Sequence, residues 1–185
     1  MESIENKKSI LKWEIFGIFV IVFAGSALHF VFEWLGEWQP IAIIAAVNES
    51  TWEHLKLAFW PAFIFALVSH PFLKNKTKNF CEAKLGSFYL MPAAIVAFFY
   101  SYLIILKEDN LFFDIGIFTA AVIIGQIASY RIMIAATFTK MTRAISIFLI
   151  IVILAAFSLL TFFPPKFFLF KDPVTGGYGI VEHKN

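Results

Sequence analysis

Five long apolar segments dominate this chain and limit what it can fold into. They cover residues 13–35, 51–73, 85–106, 112–130 and 144–163. Each is close to the roughly 20 residues that an α-helix needs to cross a bilayer. Hydrophobic residues make up 60% of the 185 residues, and a soluble domain of that length has too small a core to bury so much apolar surface. The sequence therefore predicts an all-α integral membrane protein with one transmembrane domain over residues 1–185.

The charged and sulfur-containing residues exclude several other classes of protein. The formal net charge is +2, which is too small to indicate a nucleic-acid partner. The single cysteine, Cys81, cannot form an internal disulfide and falls far short of a zinc-finger pattern. The sequence contains no internal repeat, P-loop, GxSxG motif or dinucleotide-binding fingerprint. Membrane lipid is therefore the expected partner, and nucleic acid is not.

Lysine and arginine residues are distributed unevenly between the two sides of the predicted bundle. The richer side has ten of them, namely Lys7, Lys8, Lys12, Lys74, Lys76, Lys78, Lys84, Arg131, Lys140 and Arg143. The other side has four, namely Lys107, Lys166, Lys171 and Lys184. Because basic loops remain in the cytoplasm, we predict a multi-pass protein of the cell membrane. Its N-terminus is expected to be cytoplasmic, and its C-terminal tail, residues 164–185, extracytoplasmic.

The apolar stretch at residues 40–47 is too short to cross a bilayer and has two interpretations. It can form an interfacial or re-entrant helix that ends at a break at residues 48–50. Alternatively, it can begin one long second helix over residues 40–73 that bends near Pro61, because proline removes a backbone hydrogen bond. We favour the break.

Ionisable side chains occur late in the first apolar segment and at the start of the second. Ser26, His29 and Glu33 form the first group, and the run NESTWEHLK at residues 48–56 forms the second. An ionisable group at the bilayer centre costs roughly 2.5–3.5 kcal/mol on insertion scales, so such groups usually face a cavity and a partner. The two groups therefore mark the region of the chain where its function is located.

Helical spacing indicates which of these side chains can meet. His29 and Glu33 are four residues apart and share one face of the first helix, and Ser50 and His54 are related in the same way on the second. The acids in this region outnumber its one lysine, so protonation, water or a bound cation must compensate them. Histidines with carboxylates are good ligands for zinc or another divalent metal. The predicted metal ligands are His29, His54, Glu33, Glu49 and Asp114.

The second group also has structural interpretations. STWE at residues 50–53 matches a capping box, in which Ser50 caps the second helix and the Glu53 side chain returns to the Ser50 amide. Lys56 is expected to pair with Glu53 or Glu49, or to extend toward the membrane surface. Capping and catalysis do not exclude each other at these positions.

Two further features are architectural. Ala121, Gly125 and Ser129 form a stripe of small residues that allows close packing of the fourth helix. The turn-rich sequence at residues 172–179 lies on the same side as the acids. The tail can therefore fold back over the site or remain a surface segment.

Three stretches of the chain resemble a family of small uncharacterised bacterial membrane proteins. They are GSALHF at residues 25–30, AVNESTWEHLK at 46–56 and DPVTG at 172–176. This resemblance covers nearly the whole chain and implies no activity. Ser50 and His54 are also similar to the serine-and-histidine helix motif of the CREST superfamily of membrane metal hydrolases, with Asp114 in the place of its aspartate. That superfamily, which includes alkaline ceramidases and adiponectin-type receptors, has seven spans and a late His-x-x-x-His, and this sequence has neither.

Two hypotheses of function remain open. In the first, the chain is a metal-dependent membrane hydrolase or acyl-transfer enzyme for a lipid-like substrate, with a divalent metal such as zinc activating water. Glu53 is then the general base, and the CREST resemblance implies a catalytic role for Ser50. In the second hypothesis, the same acidic cavity binds or transports a cation or another small solute.

Overall fold

Five long α-helices make up most of the described chain. The computed structural model describes residues 2–108, 110–135 and 137–180. The helices are α1 (Glu2–Trp34), α2 (Thr51–Leu73), α3 (Phe80–Leu106), α4 (Leu111–Met133) and α5 (Lys140–Leu159). Two short 3₁₀ helices, η1 (Gln39–Ile43) and η2 (Phe168–Phe170), precede α2 and follow α5. All five α-helices are long and apolar enough to cross a membrane, which confirms the predicted class of all-α, multi-pass membrane protein.

The helices match the predicted apolar segments in number and order but differ from them at several ends. α1 begins at Glu2 and α3 at Phe80, before the apolar segments begin. Hydropathy detects only the part of a helix that lipid surrounds, and a polar first turn can extend beyond it. α5 ends at Leu159, four residues before the predicted end. In the turn that follows, the Thr161 hydroxyl donates a hydrogen bond to the buried Glu53 carboxylate.

The apolar stretch at residues 40–47 is separate from α2. Its first half belongs to η1, and α2 begins at Thr51. At the break, Asn48 Oδ1 accepts a hydrogen bond from the Ser50 amide at 2.8 Å, and Ser50 is extended, with φ −68° and ψ 149°. The predicted break before α2 is confirmed, and the alternative of one continuous helix through both segments is wrong.

Four of the helices form a closed ring, and the fifth packs outside it. α1 packs against α2 and α4, and α3 packs against α2, α4 and α5. Buried apolar side chains from all five helices, among them Phe59, Phe88 and Met91, form one continuous core. Outward-facing apolar side chains such as Phe23 and Ile104 are 73% and 76% exposed, as expected of helices whose outer surface is covered by lipid.

Glycines allow close helix contacts at several places. An added Cβ at Gly125 would lie 2.4 Å from Cγ of Met91, and Ser129, one turn further along α4, is fully buried. The stripe of small residues on α4 therefore packs closely against α3, as predicted. Between α1 and α2, an added Cβ at Gly25 would lie 2.5 Å from the carbonyl oxygen of Leu57.

Successive helices run in opposite directions and give the bundle two chemically different ends. The end where α1 finishes and α2 begins holds His29, Glu49 and His54, and we call it the histidine end. The opposite end, where α2 finishes and α5 begins, holds exposed basic side chains such as Lys74 and Arg143, and we call it the lysine end. Each end presents its own polar chemistry.

Candidate metal centre

Three of the predicted metal ligands meet at the histidine end. His29 Nε2 and His54 Nε2 are 3.2 Å apart. Glu49 Oε2 lies 3.6 Å from His29 Nε2 and 3.4 Å from His54 Nε2. One ligand atom from each residue therefore falls within 4.8 Å of the others. This His29–Glu49–His54 group combines α1, α2 and the segment between them.

The distances within the group match those expected around a metal ion. Zinc lies about 2.0–2.1 Å from histidine nitrogens and about 2.0–2.2 Å from carboxylate oxygens, usually with tetrahedral geometry. Two ligands of such a tetrahedron are about 3.3 Å apart, close to the observed 3.2, 3.4 and 3.6 Å. Three protein ligands leave one position for water or substrate, which is typical of catalytic zinc sites.

A backbone contact orients the imidazole of His54. Its Nδ1 lies 2.9 Å from the carbonyl oxygen of Ser50, one turn earlier on the chain. Because a carbonyl oxygen only accepts hydrogen bonds, Nδ1 carries the proton and the lone pair of Nε2 faces His29 and Glu49. Metal-binding histidines usually donate their other nitrogen in this way.

The group is partly open to its surroundings, and its acid is ionised. The side chains of His29, His54 and Glu49 are 30%, 33% and 49% exposed. Contact with the His29 imidazole has the largest effect on the Glu49 carboxyl and lowers its pKa. Partial burial acts in the opposite direction, and the nearby His54 lowers the pKa of Glu49 further. Glu49 therefore supplies an anionic oxygen ligand at neutral pH.

Glu53, the predicted general base, lies in a buried ion pair. Its Oε2 is 2.5 Å from Lys56 Nζ, and the two side chains are 2% and 0% exposed. Glu53 also accepts hydrogen bonds from the Val47 amide at 3.2 Å and from the Thr161 hydroxyl at 2.9 Å. Lys56 Nζ donates to the Ala42 carbonyl and to Thr161. The pair thus joins η1, α2 and the end of α5, and the predicted pairing of Lys56 with Glu53 is confirmed.

Ser50 caps α2, but the capping box is only half formed. The Ser50 hydroxyl accepts a hydrogen bond from the Glu53 amide at 3.4 Å, as predicted. The Ser50 amide donates to Asn48, whereas the Glu53 carboxylate accepts from Val47. The predicted hydrogen bond from the Ser50 amide to the Glu53 carboxylate is therefore wrong, because the Ser50 amide donates to the Asn48 side chain in an Asx-type turn.

The structure does not bring the other two predicted ligands into the group. Glu33 is exposed on the last turn of α1, one turn beyond His29. Asp114, in the first turn of α4, accepts a hydrogen bond from the Tyr102 hydroxyl at 2.7 Å. Helical spacing predicts a shared face for His29 and Glu33 but does not show which side chain turns toward α2. The carboxylate of the group comes from Glu49 instead.

The C-terminal tail folds back onto the histidine end. Phe170 of η2 is buried and stacks on Trp52, with ring centroids 4.6 Å apart. Further along, the Asn48 side chain donates a hydrogen bond to the Gly179 carbonyl at 2.7 Å. Gly179 has a positive φ of 68° and lies against Thr161, where a larger residue would be strained. Of the two predictions for the tail, folding back onto this end is confirmed.

Asp172 organises a turn in this tail. Its carboxylate accepts hydrogen bonds from the Thr175 hydroxyl and from the Val174 and Thr175 amides. Partial burial acts to raise the pKa of Asp172, but the hydrogen bonds outweigh it and hold the pKa below its ordinary value. The ionised carboxylate thus stabilises the turn that the sequence predicts here.

A second buried ion pair, which the sequence did not reveal, joins α1, α3 and α4. Lys84 Nζ lies 2.7 Å from Glu14 Oε1 and 3.2 Å from Ser129 Oγ. Gln126 completes the cluster by donating to the Glu14 carbonyl at 3.2 Å. The third apolar segment was predicted to begin at residue 85, which leaves Lys84 in the preceding loop; that placement is wrong, because α3 begins at Phe80 and includes Lys84. Glu14 and Lys84 are 70 residues apart in the sequence, so no local pattern indicates that they pair.

Comparison with known proteins relates this chain to a family without an assigned activity. The model of the family described as "Family of unknown function (DUF6512)" matches residues 1–180. Neither the curated proteins nor the solved structures gave a match. The geometry of the site is therefore the basis for inferring a function.

Proposed function

The chain belongs to this family of unknown function, and we propose that it is a metal-dependent hydrolase or acyl-transfer enzyme for a lipid-like substrate. The observation that carries the proposal is the convergence of His29 Nε2, His54 Nε2 and Glu49 Oε2 at 3.2–3.6 Å. This donor set suits zinc or another divalent transition metal. When bound, such an ion polarises a carbonyl group and activates water as a nucleophile near neutral pH.

The supporting residues hold this site in place. The Ser50 carbonyl fixes the tautomer of His54, and Asn48, which precedes Glu49, binds the tail at the Gly179 carbonyl. A general base must lie within hydrogen-bond reach of the proton that it removes, whereas both carboxylate oxygens of Glu53 are bound within the buried pair. We therefore propose supporting roles for Glu53 and Ser50 in place of the catalytic roles that the sequence suggested.

Exposed aromatic side chains beside the group support a lipid-like substrate. Phe30, Trp34 and Trp38 are 48%, 69% and 57% exposed. The ring of Phe30 lies 4.9 Å from that of His29 and stacks on Trp34 at 5.8 Å. Aromatic side chains of this kind concentrate at the membrane interface, so an ester or amide of a lipid can reach the group along them. The distribution of lysine and arginine favours the extracytoplasmic side of the cell membrane for this reaction.

A second candidate function is binding or transport of a cation or small solute, and the Glu14–Lys84 pair favours it. This pair lies on α1 and α3 near the lysine end, whereas His29 lies at the histidine end of α1. α1 thus carries ionisable side chains in both halves of the bundle. Such side chains within membrane spans often mark ion pathways, with the His29–Glu49–His54 group then binding the cargo.

An activity assay in nanodiscs tests the enzyme proposal. The purified protein is incubated with a panel of fluorogenic lipid esters and amides, with a chelator or with zinc. We expect chelation to abolish turnover and zinc to restore it, and His54→Ala or Glu49→Gln to lower kcat/KM by about 100-fold. Glu33→Gln, which removes a nearby carboxylate outside the group, serves as the control and should keep its activity.

Two results would overturn the enzyme proposal. One is turnover that survives chelation and the His54→Ala variant. The other is uptake of zinc into vesicles by a protein that turns over no member of the panel, which would support the transport candidate.

A further inference from the structure

A cavity at the lysine end lies far from the metal group and is lined by basic side chains. Its volume is about 210 Å³. His70 and Lys74 come from the end of α2, Lys78 from the following loop, and Arg143 from the first turn of α5. Phe80, at the start of α3, contributes an aromatic wall. Three segments of the chain thus direct positive charge toward one small space.

The charge in this cavity is not neutralised by its own lining. None of the residues that line it is acidic, and Lys74, Lys78 and Arg143 are all exposed. One carboxylate lies against this lining: that of Glu82, which is 5% exposed and 3.6 Å from Arg143 Nε. One acid against three permanent cations leaves an excess of positive charge, which suits an anionic ligand.

Arg143 is fixed in position before any ligand binds. Its Nη2 donates a hydrogen bond to the Lys78 carbonyl, and its Nε faces Glu82. A guanidinium group binds phosphate oxygens through two parallel hydrogen bonds, and an orientation fixed in advance lowers the entropy cost of that contact. Phosphate is therefore the anionic group that the cavity fits best.

The cavity lies beside apolar surface that faces the membrane. α2 and α5, which supply most of its basic lining, both pack on α3. One helical turn from His70 and from Arg143, Leu67 on α2 and Ile147 on α5 are 59% and 45% exposed. A ligand with acyl chains can lie on these surfaces while its phosphate occupies the cavity, whereas free phosphate gains nothing from them. Basic pockets between membrane-spanning helices are known to bind lipid head groups.

We propose that this cavity binds the phosphate of an anionic phospholipid, with Lys74, Lys78 and Arg143 as its ligands. The lipid acyl chains lie along the exposed faces of α2 and α5. This site is independent of the proposed metal centre, which occupies the opposite end of the bundle.

Lipid titration of the purified full-length protein in detergent tests the proposal. Binding of phosphatidylglycerol, phosphatidylcholine and inorganic phosphate is followed by native mass spectrometry and by the midpoint of thermal unfolding. We expect phosphatidylglycerol to bind more tightly than phosphatidylcholine, and the Lys74→Gln, Lys78→Gln double variant to weaken phosphatidylglycerol binding about thirtyfold. Inorganic phosphate is expected to compete with the lipid only at much higher concentration.

A matched variant separates a site from general surface charge. Lys8 and Lys12 are exposed at the same end of the bundle but do not line the cavity, so the Lys8→Gln, Lys12→Gln variant removes the same charge elsewhere. We expect it to bind phosphatidylglycerol as the unmodified protein does. Equal weakening in both double variants, equal binding of the two lipids, or phosphate binding that phosphatidylglycerol does not displace would each overturn the proposal.

Discussion

The buried Glu53–Lys56 pair allows the supporting role of Glu53 to be tested quantitatively. Lys56 is 0% exposed, and its other hydrogen-bond partners, Ala42 and Thr161, are neutral. Glu53→Gln therefore leaves a buried ammonium group without a counter-charge, and we predict a loss of about 3–5 kcal/mol in the free energy of unfolding. Lys56→Met leaves the carboxylate unpaired and should cost a similar amount.

The double variant Glu53→Gln, Lys56→Met distinguishes an ion pair from two independent residues. It removes both charges, and neutral side chains of similar volume can replace a buried pair at little cost. We therefore expect its destabilisation to fall at least about 2 kcal/mol below the sum of the two single variants. Equilibrium unfolding in detergent micelles, followed by tryptophan fluorescence, measures all three free energies. If Glu53→Gln abolished turnover while the free energy of unfolding stayed unchanged, Glu53 would be catalytic and would not have the supporting role proposed for it.

Three further predictions concern the fold around the site. Lys84→Met should destabilise the protein by about 3–5 kcal/mol by leaving Glu14 unpaired, and adding Glu14→Gln should recover most of that loss in the same unfolding assay. Gly25→Leu should lower the midpoint of thermal unfolding and the yield of folded protein, because the Cβ of the new leucine would lie 2.5 Å from the Leu57 carbonyl oxygen. An unchanged midpoint would show that α1 and α2 can separate there. Asp172→Ala should free the tail and speed its proteolysis at least severalfold, since about 1 kcal/mol is lost per hydrogen bond; unchanged proteolysis would show that other contacts hold the tail.

The sequence predicts a helix end well where two separate signals agree at that end. α2 illustrates this, since its predicted range of 51–73 is the observed one. A serine cap precedes the helix, and its apolar length fits a bilayer. Where only hydropathy is informative, as at the start of α3, the prediction misses the polar first turn and therefore the position of Lys84.

The site was only partly predictable, because spacing along a helix shows which residues share a face but not what that face contacts. His29, Glu49 and His54 were identified from their chemistry and the structure brings them together. Glu53 was also identified, yet its carboxylate binds the Val47 amide and the Thr161 hydroxyl. That difference depends on contacts between residues more than 100 positions apart in the chain, which no local pattern encodes.

The metal content of the purified protein shows whether the His29–Glu49–His54 group binds a metal ion. The protein is equilibrated with zinc, dialysed and measured by inductively coupled plasma mass spectrometry alongside the His29→Ala, His54→Ala variant. We predict about one zinc ion per chain, the number expected of a single mononuclear site, and its loss in the double variant. His70→Ala, which removes an exposed histidine at the lysine end, should retain the metal. Zinc-free protein, or zinc that persists in the double variant, would show that the His29–Glu49–His54 group is not a metal site.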